Sequence, residues 1–121
     1  MKTRHSYFIT VGPTDTDSYN IVHHPMYFVW AEAAVYDYVM QNRSAFPQLR
    51  EGSGFGCRLE QLQSKFHMPG RLYDRLELQT VCKTSCGADG LSRFAVRICR
   101  EADHGLLVSM TCAVRLTEKE E

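Results

Sequence analysis

Between residues 12 and 24 the chain reads Gly-Pro-Thr-Asp-Thr-Asp-Ser-Tyr-Asn-Ile-Val-His-His, a polar, turn-rich stretch that gathers Asp15, Asp17, Asn20, His23 and His24. Pro25 follows, and proline is favoured at the first position of a helix. From Pro25 to about Arg43 there is no further proline and no glycine, so the loop feeds a helix. A helix N-terminus presents unpaired backbone N–H groups and the positive end of a dipole. That is a place to stabilise a developing oxyanion. A carboxylate a few residues upstream can act beside it as nucleophile or general base.

Each of these residues also has a purely structural reading. Asp17 fits an Asx-turn in a polar loop, and Asp15 a structural role. His23 and His24 fit ordinary loop histidines bonded to backbone groups. No metal is expected, because adjacent residues on an extended chain point opposite ways. Cys82 and Cys86 do not have zinc-ligand spacing; on a strand they stand about 13 Å apart. Glu32, one of two charges on the apolar part of the helix, needs a partner if buried. It is the second catalytic candidate.

The elements that must position these groups follow from periodicity. Residues 5–11 alternate, with Tyr7, Ile9 and Val11 on one face, as in a short strand. The helix from Pro25 is interrupted only by Glu32 and Asp37 before residue 41. It is apolar on nearly all sides, which predicts burial on nearly all sides, and is about 27 Å long at 1.5 Å per residue. A looser stretch, 44–56, has room for one further helical turn.

Strands then follow at 57–68, 76–86, 92–100 and 106–116. In the first of these the apolar phase slips near Gln61, which predicts a β-bulge. The second puts Leu76, Leu78, Thr80, Cys82, Thr84 and Cys86 on one face. Pro69-Gly70-Arg71 and Asp103-His104-Gly105 make turns, and Gly87-Ala88-Asp89-Gly90 a hairpin connection. The tail from Glu118 is expected to fray. Consecutive strands joined by short turns are expected to pair antiparallel. The order β-α-β-β-β-β predicts an α+β fold in which one sheet wraps around one helix.

Composition bounds the rest. The chain has 121 residues, 44% apolar and 23% charged, which suits one ordered domain spanning 1–121. Fourteen basic and fourteen acidic residues balance to zero, so no basic excess points to nucleic acid. No apolar run approaches a membrane span, and the N-terminus has no signal-peptide pattern. A cytoplasmic location is expected. Five cysteines, an odd number within apolar strand segments, read as buried reduced thiols.

The stretch Asp15-Thr16-Asp17-Ser18-Tyr19-Asn20-Ile21-Val22-His23-His24-Pro25-Met26-Tyr27-Phe28 resembles the signature of the 4-hydroxybenzoyl-CoA thioesterase-like branch of hotdog proteins. There, D-x-D-x-x-G-x-V leads into an aromatic or His and then the central helix. Pro69-Gly70-Arg71-Leu72-Tyr73-Asp74, followed by a strand, resembles that branch too. The likeness runs from about Tyr7 to Leu116. It implies the hotdog fold, a five-stranded antiparallel sheet around one long central helix. It also implies hydrolysis of acyl-CoA or acyl-carrier-protein thioesters, without a cofactor.

By the same resemblance Asp17 is the catalytic carboxylate, as nucleophile or as base on water, and the backbone N–H at His24 polarises the thioester carbonyl. The His24 side chain is expected to order the loop or the water. The family's loop glycine is Asn20 here, and asparagine tolerates the left-handed region better than most residues. Asn20, Met26 and Tyr27 are the expected substrate contacts, with Tyr27 the best-placed ring for an acyl pocket. Lys83, Arg93 and Arg71 are candidates for the CoA phosphates by charge. The resemblance further implies a homo-oligomer, dimer or tetramer, with sites at subunit interfaces. A hydratase of D-x-N-P-x-H pattern fits less well, since two residues rather than one separate Asp17 from Asn20 and no proline follows Asn20. A non-catalytic acyl-binding module is the remaining alternative.

Overall fold

The computed structural model describes residues 4–50 and 54–118. Strand β1 (Arg4–Thr10) leads through a 3₁₀ turn (Pro13–Asp15) to helix α1 (His24–Gln41), and a second 3₁₀ turn (Arg43–Ala45) precedes strands β2 (Phe55–Phe66), β3 (Arg75–Thr84), β4 (Ser92–Arg100) and β5 (Leu106–Glu118). The strands form one antiparallel sheet in the order β1-β3-β4-β5-β2. This is the predicted sheet around a single helix. The helix starts one residue earlier than expected, with Pro25 second. The first turn accepts this because its N–H groups lack intrahelical acceptors. The tail is strand through Glu118; the rest of it lies outside the described residues.

The expectation that all consecutive strands pair holds for β3–β4 and β4–β5 but not for β2–β3. β2 lies on the far edge, against β5. The segment between β2 and β3 is a strap across the end of the sheet rather than a hairpin turn. Its hydrogen bonds go to other partners: His67 N–H to Leu107 O, Leu72 N–H to Asn20 O and Tyr73 N–H to Val11 O.

The predicted bulge is present, between Leu59 and Gln61. A second one, between Cys82 and Thr84, was not foreseen. It shifts Thr84 and Cys86 off the face shared by Leu76, Leu78, Thr80 and Cys82, and Cys86 is exposed rather than buried. Cys57 and Cys82 are half-buried; Cys99 and Cys112 are buried.

The core forms where α1 sets Tyr27, Trp30, Ala34, Val35 and Tyr38 against the inward residues of the sheet. Burial of α1 on all sides does not occur within one chain. Val29 is 57% exposed, Tyr36 40% and Met40 47%, at seven- and four-residue steps that fall on one helix face. The sheet ends at edge strands β1 and β2 without closing over that face. A groove lined by Tyr7, Val29, Glu32, Tyr36 and Cys57 runs between them. Burial beneath Glu32 pushes the Cys57 thiol up to about 12.

Candidate active site

The loop before α1 folds into a small hairpin. Gly12 N–H donates to the Asp15 carboxylate at 2.8 Å, and Asp15 N–H to Gly12 O at 3.0 Å, which fixes the 3₁₀ turn. Asp15 therefore acts structurally. Thr16 then bridges Val22, and Asp17 N–H donates to Ile21 O. The chain reverses through Ser18, Tyr19 and Asn20, and Asn20 has φ +60°. The left-handed conformation foreseen for this asparagine is present, at the position that a glycine would otherwise fill.

Asp17 sits at the base of this hairpin. Its Oδ1 accepts Tyr19 N–H at 2.8 Å and Ile21 N–H at 3.3 Å. The first bond is the Asx-turn of the structural reading. Oδ2 has no hydrogen-bond partner among the described residues, and Asp17 is exposed. One oxygen orients the carboxylate and the other is open.

The hairpin is docked on the strap. Val22 N–H donates to Gly70 O and Leu72 N–H to Asn20 O, each at 2.9 Å, and Ile21 bridges Arg71. From the helix side, the buried Tyr27 hydroxyl accepts Gly70 N–H at 2.9 Å, and burial pushes its phenol above the ordinary range. A side chain at Gly70 would meet Leu107 at 3.0 Å, Val22 at 3.1 Å and the Tyr27 hydroxyl at 3.2 Å. Glycine is what lets the strap approach this closely.

Where hairpin, helix start and strap meet there is a cleft of about 250 Å³, lined by Ile21, Val22, His24, Tyr27, Phe66 and Met68 among others. The His24 ring lies flat on Phe66, with centroids 4.3 Å apart and planes 5° apart. Ile21, which binds the Asp17 carboxylate through its N–H, is part of the wall that His24 also forms. His24 is the first helical residue, so its N–H is one of those with no intrahelical acceptor.

His24 and Tyr27 thus line one cleft; Asp17 is not in its wall but is tied to it through Ile21, whose N–H its carboxylate accepts, with Asn20 at the hairpin tip and Arg71 on the strap. Met26 is half-buried against the core, its N–H donating to His23 O. Lys83 and Arg93 are not brought to this cleft within the chain. They stand at the other end of β3 and β4, eight residues along β3 from Arg75, or about 26 Å. The Arg93 guanidinium is held by Asp89 at 2.6 Å and keeps that carboxyl down at about 2. Glu32 lies in the groove on the open helix face.

Sequence reasoning missed Phe66, His67 and Met68. Their alternation marks them as the end of a strand, but nothing in it says that this end sits against the start of the helix. Only the strand order does so.

Residues 19–85, more than half the chain, match the family model of the thioesterase superfamily. No curated protein matches the chain. Among solved structures, one described as a probable thioesterase, from Bartonella henselae, superposes with a TM-score of 0.77 at 18% identity, covering 97% of this chain and 92% of the other. A 1,4-dihydroxy-2-naphthoyl-CoA thioesterase from Synechocystis has a TM-score of 0.76 at 14% identity, covering 98% and 85%. A hypothetical protein from Thermus thermophilus has a TM-score of 0.73 at 27% identity, covering 94% and 83%. The sheet wrapped on a single helix is the hotdog fold that these neighbours share. Family membership supports thioester hydrolysis as the chemistry. The chain belongs to the thioesterase superfamily.

Proposed function

We propose that the protein hydrolyses an acyl-CoA thioester to the free acid and CoA, with Asp17 as the reacting carboxylate. The observation that carries this reading is the state of that carboxylate. Two backbone N–H groups hold Oδ1, while Oδ2 has no hydrogen-bond partner among the described residues, and one of those donors, Ile21, lines the cleft with the first residue of α1, His24. As base, Oδ2 takes a proton from water as the water oxygen adds to the thioester carbonyl carbon. As nucleophile, it adds to that carbon itself and the resulting anhydride is hydrolysed. On either route the His24 N–H faces the oxyanion. The C–S bond breaks and the departing thiolate takes up a proton.

Ile21, Val22, Tyr27 and Met68 offer an apolar wall for the acyl group, with Asn20 shaping the hairpin and Met26 backing the helix start. Arg71 and, on the outer face of the sheet, Lys83 and Arg93 are the candidate cations for CoA. The Synechocystis neighbour, which acts on a CoA ester by its name, supports this class. The open face of α1 supports a homo-oligomer, which would cover Val29, Tyr36 and Met40.

The test is a panel of acyl-CoA and acyl-carrier-protein thioesters, assayed for free thiol with Asp17→Asn in parallel and with the assembly sized by light scattering. Wild type is expected to release CoA from at least one member, and the folded variant to lose about 100-fold or more in kcat. Equal turnover by both proteins removes Asp17 from the chemistry and brings Glu32 forward. Release from carrier-protein esters alone overturns the CoA assignment.

A further inference from the structure

The face of the sheet turned away from α1 carries cations that have no carboxylate partner among the described residues. On β4, Phe94, Val96 and Ile98 point into the core, so Arg93, Ala95 and Arg97 point outward. Register places Arg97 opposite Ser109 on β5, and Ser109 opposite Lys65 on β2. The two cations flank Ser109 at about 10 Å between backbones, close enough for both side chains to reach one phosphate. Among the described residues neither Lys65 nor Arg97 has a carboxylate partner, nor does Lys83. Of the nearby carboxylates, Glu60 is paired with Arg58 and Arg115 and Asp89 with Arg93, while Glu77 is held by hydrogen bonds from Ser6 and Gln79 and makes no ion pair with Arg97.

This face is also grooved. A groove of about 410 Å³ runs over Lys65, Ala95, Arg97, Ser109 and Thr111. It continues, through the shared Gln63 and Thr111, into one of about 650 Å³ bounded by Lys83, Arg93 and Ala113. Small residues in the floor give it depth, with cations around them. The other end leads to the cleft. His67 Nε2 lies 3.1 Å from Ser109 Oγ, and His67 also lines the cleft beside His24.

We propose that this trough seats the phosphorylated nucleotide of the same thioester substrate, with Lys65, Ser109 and Arg97 as its phosphate site and His67 where the acyl-bearing arm turns toward His24. This rests on the hydrolase reading above. A second copy packed here would set the same unpaired cations against each other, which is unfavourable. An acidic protein surface would not need the depth.

The probe is adenosine 3′,5′-bisphosphate, titrated calorimetrically into wild type, the Lys65→Gln/Arg97→Gln double variant and, as a control, Arg75→Gln, whose cation pairs with Glu101 elsewhere. Wild type and control are expected to bind alike, the double variant at least tenfold more weakly, with affinity falling as salt rises. In kinetics, the double variant is expected to raise KM for the preferred acyl-CoA at least tenfold while kcat stays within about twofold. The same acyl group on N-acetylcysteamine, which has no nucleotide, is expected to be hydrolysed alike by both proteins. Equal binding by wild type and double variant, or an equal loss in the control, overturns the proposal. If no thioester is hydrolysed at all, the hydrolase reading fails, and the titration still decides whether the trough binds the nucleotide.

Discussion

At the scale of single residues the site depends on two backbone details near Asp17. The carboxylate is aimed by N–H groups from Tyr19 and Ile21, and these face it because Asn20 turns the chain at φ +60°. Asn20→Gly keeps that conformation and is expected to leave both stability and turnover close to wild type. Asn20→Val puts a β-branched residue in the left-handed region at a cost of about 1–2 kcal/mol. It is expected to lower kcat through the tilt of Asp17, read as a fall in activity larger than the shift in thermal midpoint. A Val variant as active as wild type would mean that the hairpin does not aim the carboxylate. The Asx-turn at Asp17 and the left-handed turn at Asn20 were legible in the sequence, because turn chemistry is local.

At the scale of elements, the docking of hairpin on strap is what the sequence hid. Gly70 and Tyr27 are far apart in the chain, and only the strap's course across the sheet end joins them. Tyr27 reads as a pocket ring in sequence; in the structure it lines the cleft and also clamps the strap. Tyr27→Phe keeps the ring but leaves the buried Gly70 N–H without an acceptor. The expected cost is about 1–3 kcal/mol, measured by denaturant unfolding, with a larger share of the loss falling on activity than on the sheet's circular dichroism. An unfolding midpoint equal to wild type would show the bond to be dispensable. The helix, five strands and the bulge at Gln61 were legible because periodicity and its slips are local signals. The place of β2 was not, because pairing partners are set by the whole sheet. Nor was the bulge at Lys83, which alternation of small and polar residues conceals.

At the scale of the molecule, the strand order has a consequence for assembly. β3, β4 and β5 form a meander of neighbours joined by short turns, whereas β1 reaches β3 and β2 reaches β5 across tens of residues. Closing long loops costs entropy before any contact repays it. The meander is therefore expected to be the folding nucleus, with β1, β2 and the Asp17 hairpin arriving last. In pulse-labelling hydrogen exchange, amides of β4 should be protected before those of β2 and before Val22 and Leu72, which tie hairpin to strap. Simultaneous protection everywhere would contradict this order. If the order holds, the chemistry proposed for Asp17 lies in the part of the chain that folds latest and opens first. A population with an intact sheet but no working site then precedes unfolding, so heat or denaturant silences this protein before it melts.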